Sequence, residues 1–307
     1  MSVQVSVVMP AYNEAENLPE VVPEVLDSLR SLACAHEVVV VDDGSTDGTH
    51  EVMTTLAATH PEVRYVRLRR NQGKSAALAA GFDVATGDTV VLMDADGQDD
   101  PAGIGSLLDA LDAGLDQVTG SRTAGRNDRF VKRHTSRIYN RTTAWISGVD
   151  GKDFNSGFKA MRREVVDSLV LRGELHRYIP VLAHWAGFRV GEVETTHRPR
   201  LHGTTKFGIN RFWRGMFDLL TVKFLTTYTA RPFHLFGGSG IVLGLVGSVL
   251  LAWMGIEKLA GNSVGTRPAL LTGVLLTLAG LQLLSVGLVA ELVLHYRRPD
   301  APDYAEP

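Results

Sequence analysis

The first 122 residues alternate between short apolar runs of strand length and longer segments with helical spacing. "VSVVMPAY" (5–12) is a Val-rich run that predicts a strand. "NEAENLPEVVPEVLDSLRSLA" (13–33) repeats apolar positions at helical spacing, with Pro19 and Pro23 making its first turns irregular. "EVVVVDDGS" (37–45) is a continuous β-branched run, the pattern of a strand covered on both faces. The same alternation predicts a helix over 46–60, a strand over 63–71, a helix over 73–86, a strand over 88–96, a helix over 101–114 and a strand over 116–122. Strands separated by helices of this length predict an α/β class with a parallel, doubly wound sheet. Ligands of such sheets lie beyond the carboxyl ends of the strands. Polar residues collect there: "AYNE" after the first strand, "DDGS" after the second, "DADGQDD" after the fourth and "GSR" after the fifth.

Beyond this region the pattern changes. From Arg126 to Lys206 it is less regular and rich in Arg, Lys and His. Ile209, Phe212, Trp213, Met216, Phe217 and Leu220 then share one helical face, with Asn210, Arg214, Asp218 and Thr221 on the other, which predicts a helix lying in a membrane interface. Leu235–Ile256 has no charged residue over 22 positions, and Pro268–Ala290 none over 23. A helix needs about 20 apolar residues to cross a bilayer, so the pair predicts a transmembrane hairpin. Arg211, Arg214, Lys223 and Arg231 precede it and Arg297 and Arg298 follow it, whereas the connection holds only Glu257, Lys258 and Arg267. This basic bias predicts that the large amino-terminal part and the tail both lie on the cytoplasmic side. The expected organisation is a globular part over 1–206, juxtamembrane helices over 207–232, two spans within 233–295 (about 235–256 and 268–290) and a tail over 296–307.

Composition narrows the picture by exclusion. A net charge of −3 over 307 residues gives no reason to expect a nucleic-acid binder. Cys34 is the single cysteine, so no disulfide can form within the chain, as suits a reducing compartment. "MSVQVSVVMPAYNE" has neither a basic start nor a long apolar core, and no signal peptide is expected.

Several motifs imitate chemistry they cannot perform. Gly73-Lys74-Ser75 ends like a phosphate-binding P-loop, but the earlier glycine is missing because position 68 is Leu. Asp43, Ser45, Asp47 and Gly48 open like a calcium loop, yet its twelfth position would be Thr54, so the bidentate carboxylate is absent. The ten His show no paired zinc spacing, and there is no nucleophile elbow. Asp94 and Asp96 remain. Two residues apart at a strand end, they point to one side and repel unless a cation stands between them. Hard oxygen ligands suit Mg2+ or Mn2+, with Gln98 as a weaker third ligand and substrate phosphates completing the shell. By themselves these residues fit a solvated Asp-rich turn equally well.

Their company is more specific. "PAYNE", "DDGSTDGT", "NQGKSAAL" and "DADGQDDP", followed by "GSR" (120–122), "NSGF" (155–158) and "HRPRLHGTTKF" (197–207), come in an order that resembles the family-two inverting glycosyltransferases. With the two spans, nearly the whole chain is similar to the polyprenyl-phosphate glycosyltransferases among them, relatives of dolichyl-phosphate mannose synthase and the bactoprenol glucosyltransferases. The resemblance implies a Rossmann-like GT-A domain, a nucleotide-diphosphate sugar donor, a polyprenyl-phosphate acceptor in a lipid bilayer, and Mg2+ or Mn2+ as cofactor. It implies that Pro10, Ala11, Tyr12, Glu14, Gly73, Lys74 and Ala95 line the nucleotide-sugar pocket, that Asp42 reads the base, and that Asp94, Asp96 and Gln98 hold the metal on the donor diphosphate. Arg122, Lys132, Arg133 and Ser136 would receive the acceptor phosphate, and Arg200 and Lys206 would face the phosphates as well.

Two departures stand out. Asp99-Asp100 replaces the His-Pro pair of many relatives, and Thr205 stands where Ser is usual. Asp99 and Asp100 are expected to begin the following helix, whose amino terminus favours negative charge. The implied reaction is one inverting displacement by an already ionised lipid phosphate, which needs no strong general base. A polysaccharide synthase of the same superfamily is a rival reading, weakened by the missing Gln-x-x-Arg-Trp motif. A non-catalytic nucleotide-binding membrane scaffold is another. Gly240 and Gly244 could permit close helix packing, either in a homo-oligomer or only within the hairpin.

Overall fold

The computed structural model describes residues 3–124, 148, 153, 156–171, 173–198, 232–263 and 268–296, the side chains of 122–124 and 294–296 excepted. The chain divides into two compact units, Met1–Leu219 and Leu220–Pro307.

In the first unit seven strands form one sheet. They are β1 (Val5–Ala11), β2 (His36–Asp42), β3 (Val63–Arg67), β4 (Thr89–Leu92), β5 (Gln117–Ala124), β6 (Lys159–Arg162) and β7 (Val190–Thr196), in the order β3-β2-β1-β4-β6-β5-β7. The helices are α1 (Leu18–Ser31), α2 (Thr49–Thr59), α3 (Lys74–Val84), α4 (Ile104–Asp112), α5 (Arg163–Ser168) and α6 (Ile179–Trp185). Because side chains alternate across a strand, β2 supplies two cores. Val38 and Val40 pack with α1, α2 and α4, while Val39 and Val41 pack with α3, α5 and α6. This double coverage is why "VVVV" contains no polar position. Helix α1 runs on through Pro23 and buries Val21, Val22, Val25, Leu26 and Leu29.

The expected strands and helices of the first 122 residues all form, and β3, β2, β1 and β4 are parallel neighbours. The expectation of a wholly parallel sheet is corrected beyond β4. There β6 inserts antiparallel to both β4 and β5, and β7 then pairs parallel with β5. Strand β6 has four residues and begins with a buried lysine, Lys159, so its hydrophobic pattern is too short and too broken to announce it.

The register brings the functional segments to one edge. Ala11 pairs with Asp42, and Val8 with Leu92, so the chain leaves β1, β2 and β4 side by side. Strand β4 ends at Leu92, earlier than expected, and Asp94 and Asp96 lie in the turn beyond it. Strand alternation therefore does not aim the two carboxylates. The turn does, with Gly97 at φ +71° and the Gln98 amide donating to Asp96 Oδ1 at 3.2 Å.

The second unit contains α7 (Pro232–Leu259) and α8 (Pro268–Tyr296), each long and apolar enough to cross a membrane. They pack on each other through glycines. A Cβ on Gly240 would lie 2.7 Å from the Gly280 carbonyl oxygen, and one on Gly280 would lie 2.5 Å from the Gly244 nitrogen. Gly240 and Gly280 thus serve the contact within the hairpin, whereas a Cβ on Gly244 would meet nothing within 4 Å. The expected amphipathic helix near 209–228 and most of the tail lie outside the described residues.

Candidate active site

Three loops at the carboxyl edge of the sheet are tied together by backbone and short side chains. Asn13 adopts a left-handed conformation, φ +56°, that turns the chain out of β1. Its amide donates to Ser45 Oγ at 2.9 Å, and its Oδ1 accepts from the Thr46 amide at 2.9 Å. The Glu14 amide donates to Thr49 Oγ1 at 3.1 Å, and the Asp43 amide to the Ala11 carbonyl at 2.8 Å. Gly44 sits at φ +69°, where a Cβ would lie 2.4 Å from the Arg70 carbonyl carbon, so only glycine lets the second loop pass the segment before α3. These residues imitate a calcium loop in sequence because Asp, Ser and Thr cap and cross-link turns.

Between the loops lies a cleft of about 280 Å3. Pro10, Ala11, Tyr12 and Glu14 line it together with Gly73, Lys74, Asp94, Ala95 and Asp96. All nine were expected in or beside a nucleotide pocket, and the fold brings them together. Asp94 is about one-third exposed, and its Oδ1 accepts from the Lys74 ammonium. Asp96 is buried at 6% exposure. Residue 157 has no room for a side chain beside Asp94: a Cβ there would lie 2.6 Å from Asp94 Oδ2. Two carboxylates in one cleft, with a cation already on one of them, form a hard-oxygen donor set that suits a divalent metal. Among the described residues no group of three or more His, Cys, Asp or Glu could hold a metal.

The neighbouring acidic pair divides its work. Asp43 lines the cleft, and its carboxylate accepts from the Gln72 amide at 2.7 Å and the Gly73 amide at 2.8 Å. Asp42, the residue expected to read a base, is fully buried and not part of the lining. It accepts from the Ser45 amide at 2.7 Å and the Tyr65 hydroxyl at 2.9 Å, with Arg67 Nε 3.6 Å away. Burial, then the hydrogen bond to Asp42, raises the Tyr65 pKa well above that of a free phenol. Gln98 also lies outside the lining, and its carbonyl accepts from the Arg198 amide at 2.7 Å.

The loop after the acidic turn is held by charge. Arg198 reaches Glu24 at 2.5 Å and Asp100 at 2.8 Å, and Asp100 Oδ1 caps the turn Pro101–Gly103 by accepting from the Ala102 amide at 3.1 Å. Asp100 therefore begins the following helical segment, as expected. Asp99 does not: it is buried and faces His197, with Nδ1 3.4 Å from Oδ1. The same two residues form an isolated antiparallel bridge.

On the far side of α3, the Ser75 hydroxyl and His176 Nδ1 are 3.0 Å apart, and the His176 amide donates to Ser75 Oγ at 3.2 Å. His176 thus meets Ser75 through both its ring and its main chain. Burial, followed by Lys74, Arg177 and Lys159, pushes its pKa down to about 2.

Arg122 lies in β5, but its side chain is outside the described residues, as are Lys132, Arg133, Ser136, Arg200 and Lys206 altogether. Sequence reasoning missed Asp43, Asn71 and Ala77 in the cleft and the supporting Gly157 and His176. The "NSGF" motif pointed to Gly157. The close packing that makes glycine necessary there is visible only in three dimensions.

Comparison with known proteins agrees with this geometry. The family model described as glycosyl transferase family 2 matches residues 6–170. A dodecaprenyl-phosphate galacturonate synthase of Rhizobium johnstonii is 36% identical over 99% of this chain and 92% of its own. An undecaprenyl-phosphate 4-deoxy-4-formamido-L-arabinose transferase of Aeromonas hydrophila is 34% identical over 94% of this chain and 88% of its own. Among solved structures, glucosyl-3-phosphoglycerate synthase of Mycobacterium tuberculosis, in complex with Mn2+ and UDP-glucose, has the same fold. It superposes with a TM-score of 0.55 at 22% identity, over 72% of this chain and 79% of its own. Mannosyl-3-phosphoglycerate synthase of Rubrobacter xylanophilus gives 0.56 at 18%, over 72% and 74%. The tied loops, the acidic cleft and a likeness to sugar transferases along nearly the whole chain lead to one conclusion: the chain belongs to glycosyl transferase family 2, with a GT-A fold.

Proposed function

We propose that the protein is a membrane-anchored, inverting glycosyltransferase that moves a sugar from a nucleoside diphosphate to a polyprenyl phosphate at the cytoplasmic face of the membrane. One combined observation carries this reading. Asp94, Asp96 and Lys74 share a cleft walled by Pro10–Tyr12 and Glu14, in a chain similar from end to end to transferases named for polyprenyl-phosphate products. The two long apolar helices agree with a lipid acceptor.

In this reading the nucleoside lies against Pro10, Ala11 and Tyr12, beside the loop that Asp42 and Asp43 hold in place. Asp94 and Asp96 hold Mg2+ or Mn2+, with Gln98 reached through water; the complex of a fold neighbour with Mn2+ and UDP-glucose supports a divalent ion. When bound, the metal neutralises charge developing on the departing diphosphate. Lys74 and the amino-terminal turn of α3 face the same phosphates. The acceptor phosphate is ionised at neutral pH, so the work of the chain is to hold two anions in line. Arg122, Lys132, Arg133, Ser136, Arg200 and Lys206 are the residues proposed to do so. The juxtamembrane segment 207–232 and the hairpin would keep the cleft near the headgroups.

The test is a panel of GDP- and UDP-sugars given to the full chain with a polyprenyl phosphate and Mg2+ or Mn2+, scored as sugar in the lipid extract. Transfer is expected with at least one donor and is expected to vanish in Asp96→Ala. Full transfer by that variant would refute the site, and a water-soluble polymer as product would refute the acceptor.

A further inference from the structure

We infer that Lys74 is a built-in counter-ion of Asp94 that a divalent cation must displace, and that its ammonium, once displaced, passes to the donor diphosphate. The inference rests on the proposed metal role of Asp94 and assigns Lys74 a part beyond lining the pocket.

The structure already places a cation on Asp94. The Lys74 ammonium donates to Oδ1, and both side chains are about one-third exposed on the cleft wall, 31% and 34%. Residue 157 runs close beside that carboxylate, where a Cβ would lie 2.6 Å from Oδ2 and 2.8 Å from Oδ1. An incoming cation therefore meets an oxygen that is already paired.

The backbone carrying Lys74 is fixed on both sides while its side chain spans open cleft. Asp43 holds the amides of Gln72 and Gly73, the two residues before it. Ser75, the residue after it, is fully engaged with His176. Lysine is a point charge on a flexible four-carbon stem. With its Cα fixed, its ammonium can leave Asp94 and still remain within the cleft that Asp94, Asp96 and Lys74 line together. A diphosphate brought there with a divalent cation offers it a new partner.

Charge decides which partner wins. A divalent ion alone must compete with the ammonium for Asp94 and leaves Lys74 without a counter-ion. A divalent ion arriving with a diphosphate satisfies Asp94 and Lys74 at once. Lys74 thus opposes metal binding by itself and favours it in the presence of nucleotide. Such coupling is reciprocal, so metal must tighten nucleotide binding by the same factor. The consequence is a site that loads metal and donor together.

The test is a Mn2+ titration of the full-length protein in detergent, followed by the electron paramagnetic resonance signal of free Mn2+, alone and with UDP or GDP. In the unaltered protein, nucleotide is expected to tighten Mn2+ binding. In Lys74→Met, Mn2+ alone is expected to bind several-fold tighter, and the nucleotide's added effect to shrink. Lys74→Arg keeps the charge and is expected to behave like the unaltered protein. Lys74→Gln repeats the comparison should the Met variant fail to fold. Mn2+ binding no tighter after loss of the charge, including binding undetectable with either protein, overturns the inference. Asp94→Asn separates this from the underlying reading: if it binds Mn2+ and nucleotide as well as the unaltered protein, Asp94 is not a metal ligand at all.

Discussion

Gly157 and Asp94 compete for the same few ångströms. A methyl group at 157 would sit 2.6 to 2.8 Å from three atoms of the Asp94 carboxyl group, so Gly157→Ala must push that group off its position. Displacing a positioned group by about 1 Å costs about 10²-fold in rate. A loss of that order in kcat/KM is expected, with a change of only a few degrees in Tm because Asp94 lies at the edge of the cleft and can move into it. His176 supports a pH prediction. Its folded-state pKa, about 2, lies below the ordinary 6.5, so the unfolded chain takes up a proton between those values that the folded chain refuses. Stability is therefore expected to fall as pH drops below about 6.5, by up to about 1.4 kcal/mol per pH unit from this group. Partial exposure of the residue reduces that figure. His176→Asn keeps a polar side chain beside Ser75 and should flatten the slope in denaturant titrations run from pH 7.5 to 5.

Elements meet their neighbours at points where a side chain has no room. In the hairpin of α7 and α8, a Cβ on Gly280 would lie 2.5 Å from the Gly244 nitrogen, whereas one on Gly255 meets nothing within 4 Å. Both glycines lie in long apolar helices, so the two positions separate packing from lipid exposure. Gly280→Leu is expected to destabilise the hairpin by about 1–3 kcal/mol through overpacking, seen as a lower Tm in detergent. Gly255→Leu should leave it unchanged. The amino-terminal turn of α3 illustrates the same scale in the first unit. Asp43 holds its entry and His176 its second residue, so Lys74 projects from a turn fixed by two distant parts of the chain.

For the whole molecule the outstanding question is sidedness, and the chain carries its own probe. Cys34 is the single cysteine, partly buried in the first unit. If the basic flanks of the hairpin hold that unit in the cytoplasm, a membrane-impermeant maleimide should label Cys34 in inside-out vesicles and spare it in right-side-out vesicles. Labelling in the reverse pattern would place the cleft on the other side and exclude a cytoplasmic nucleotide-sugar donor. The experiment leaves every cleft residue untouched.

The sequence by itself determined the elements and their order through 122, the two long apolar helices and, among the acidic cleft residues, Glu14, Asp94 and Asp96. These follow from local periodicity and from a run of polar residues behind each strand, information carried within a few neighbours. Tertiary structure alone decided the rest. Strand β6 is set by pairing with β4 and β5, residues far away in sequence, and its four positions are too few to carry a period. Asp42 and Asp43 are adjacent and chemically identical. Only the approach of Tyr65 and Arg67 to one, and of the α3 turn to the other, makes the first a buried anchor and the second a wall of the cleft. Gly157, His176 and the Lys74–Asp94 pair belong to this second kind, because long-range contacts determine which side chains share space and charge.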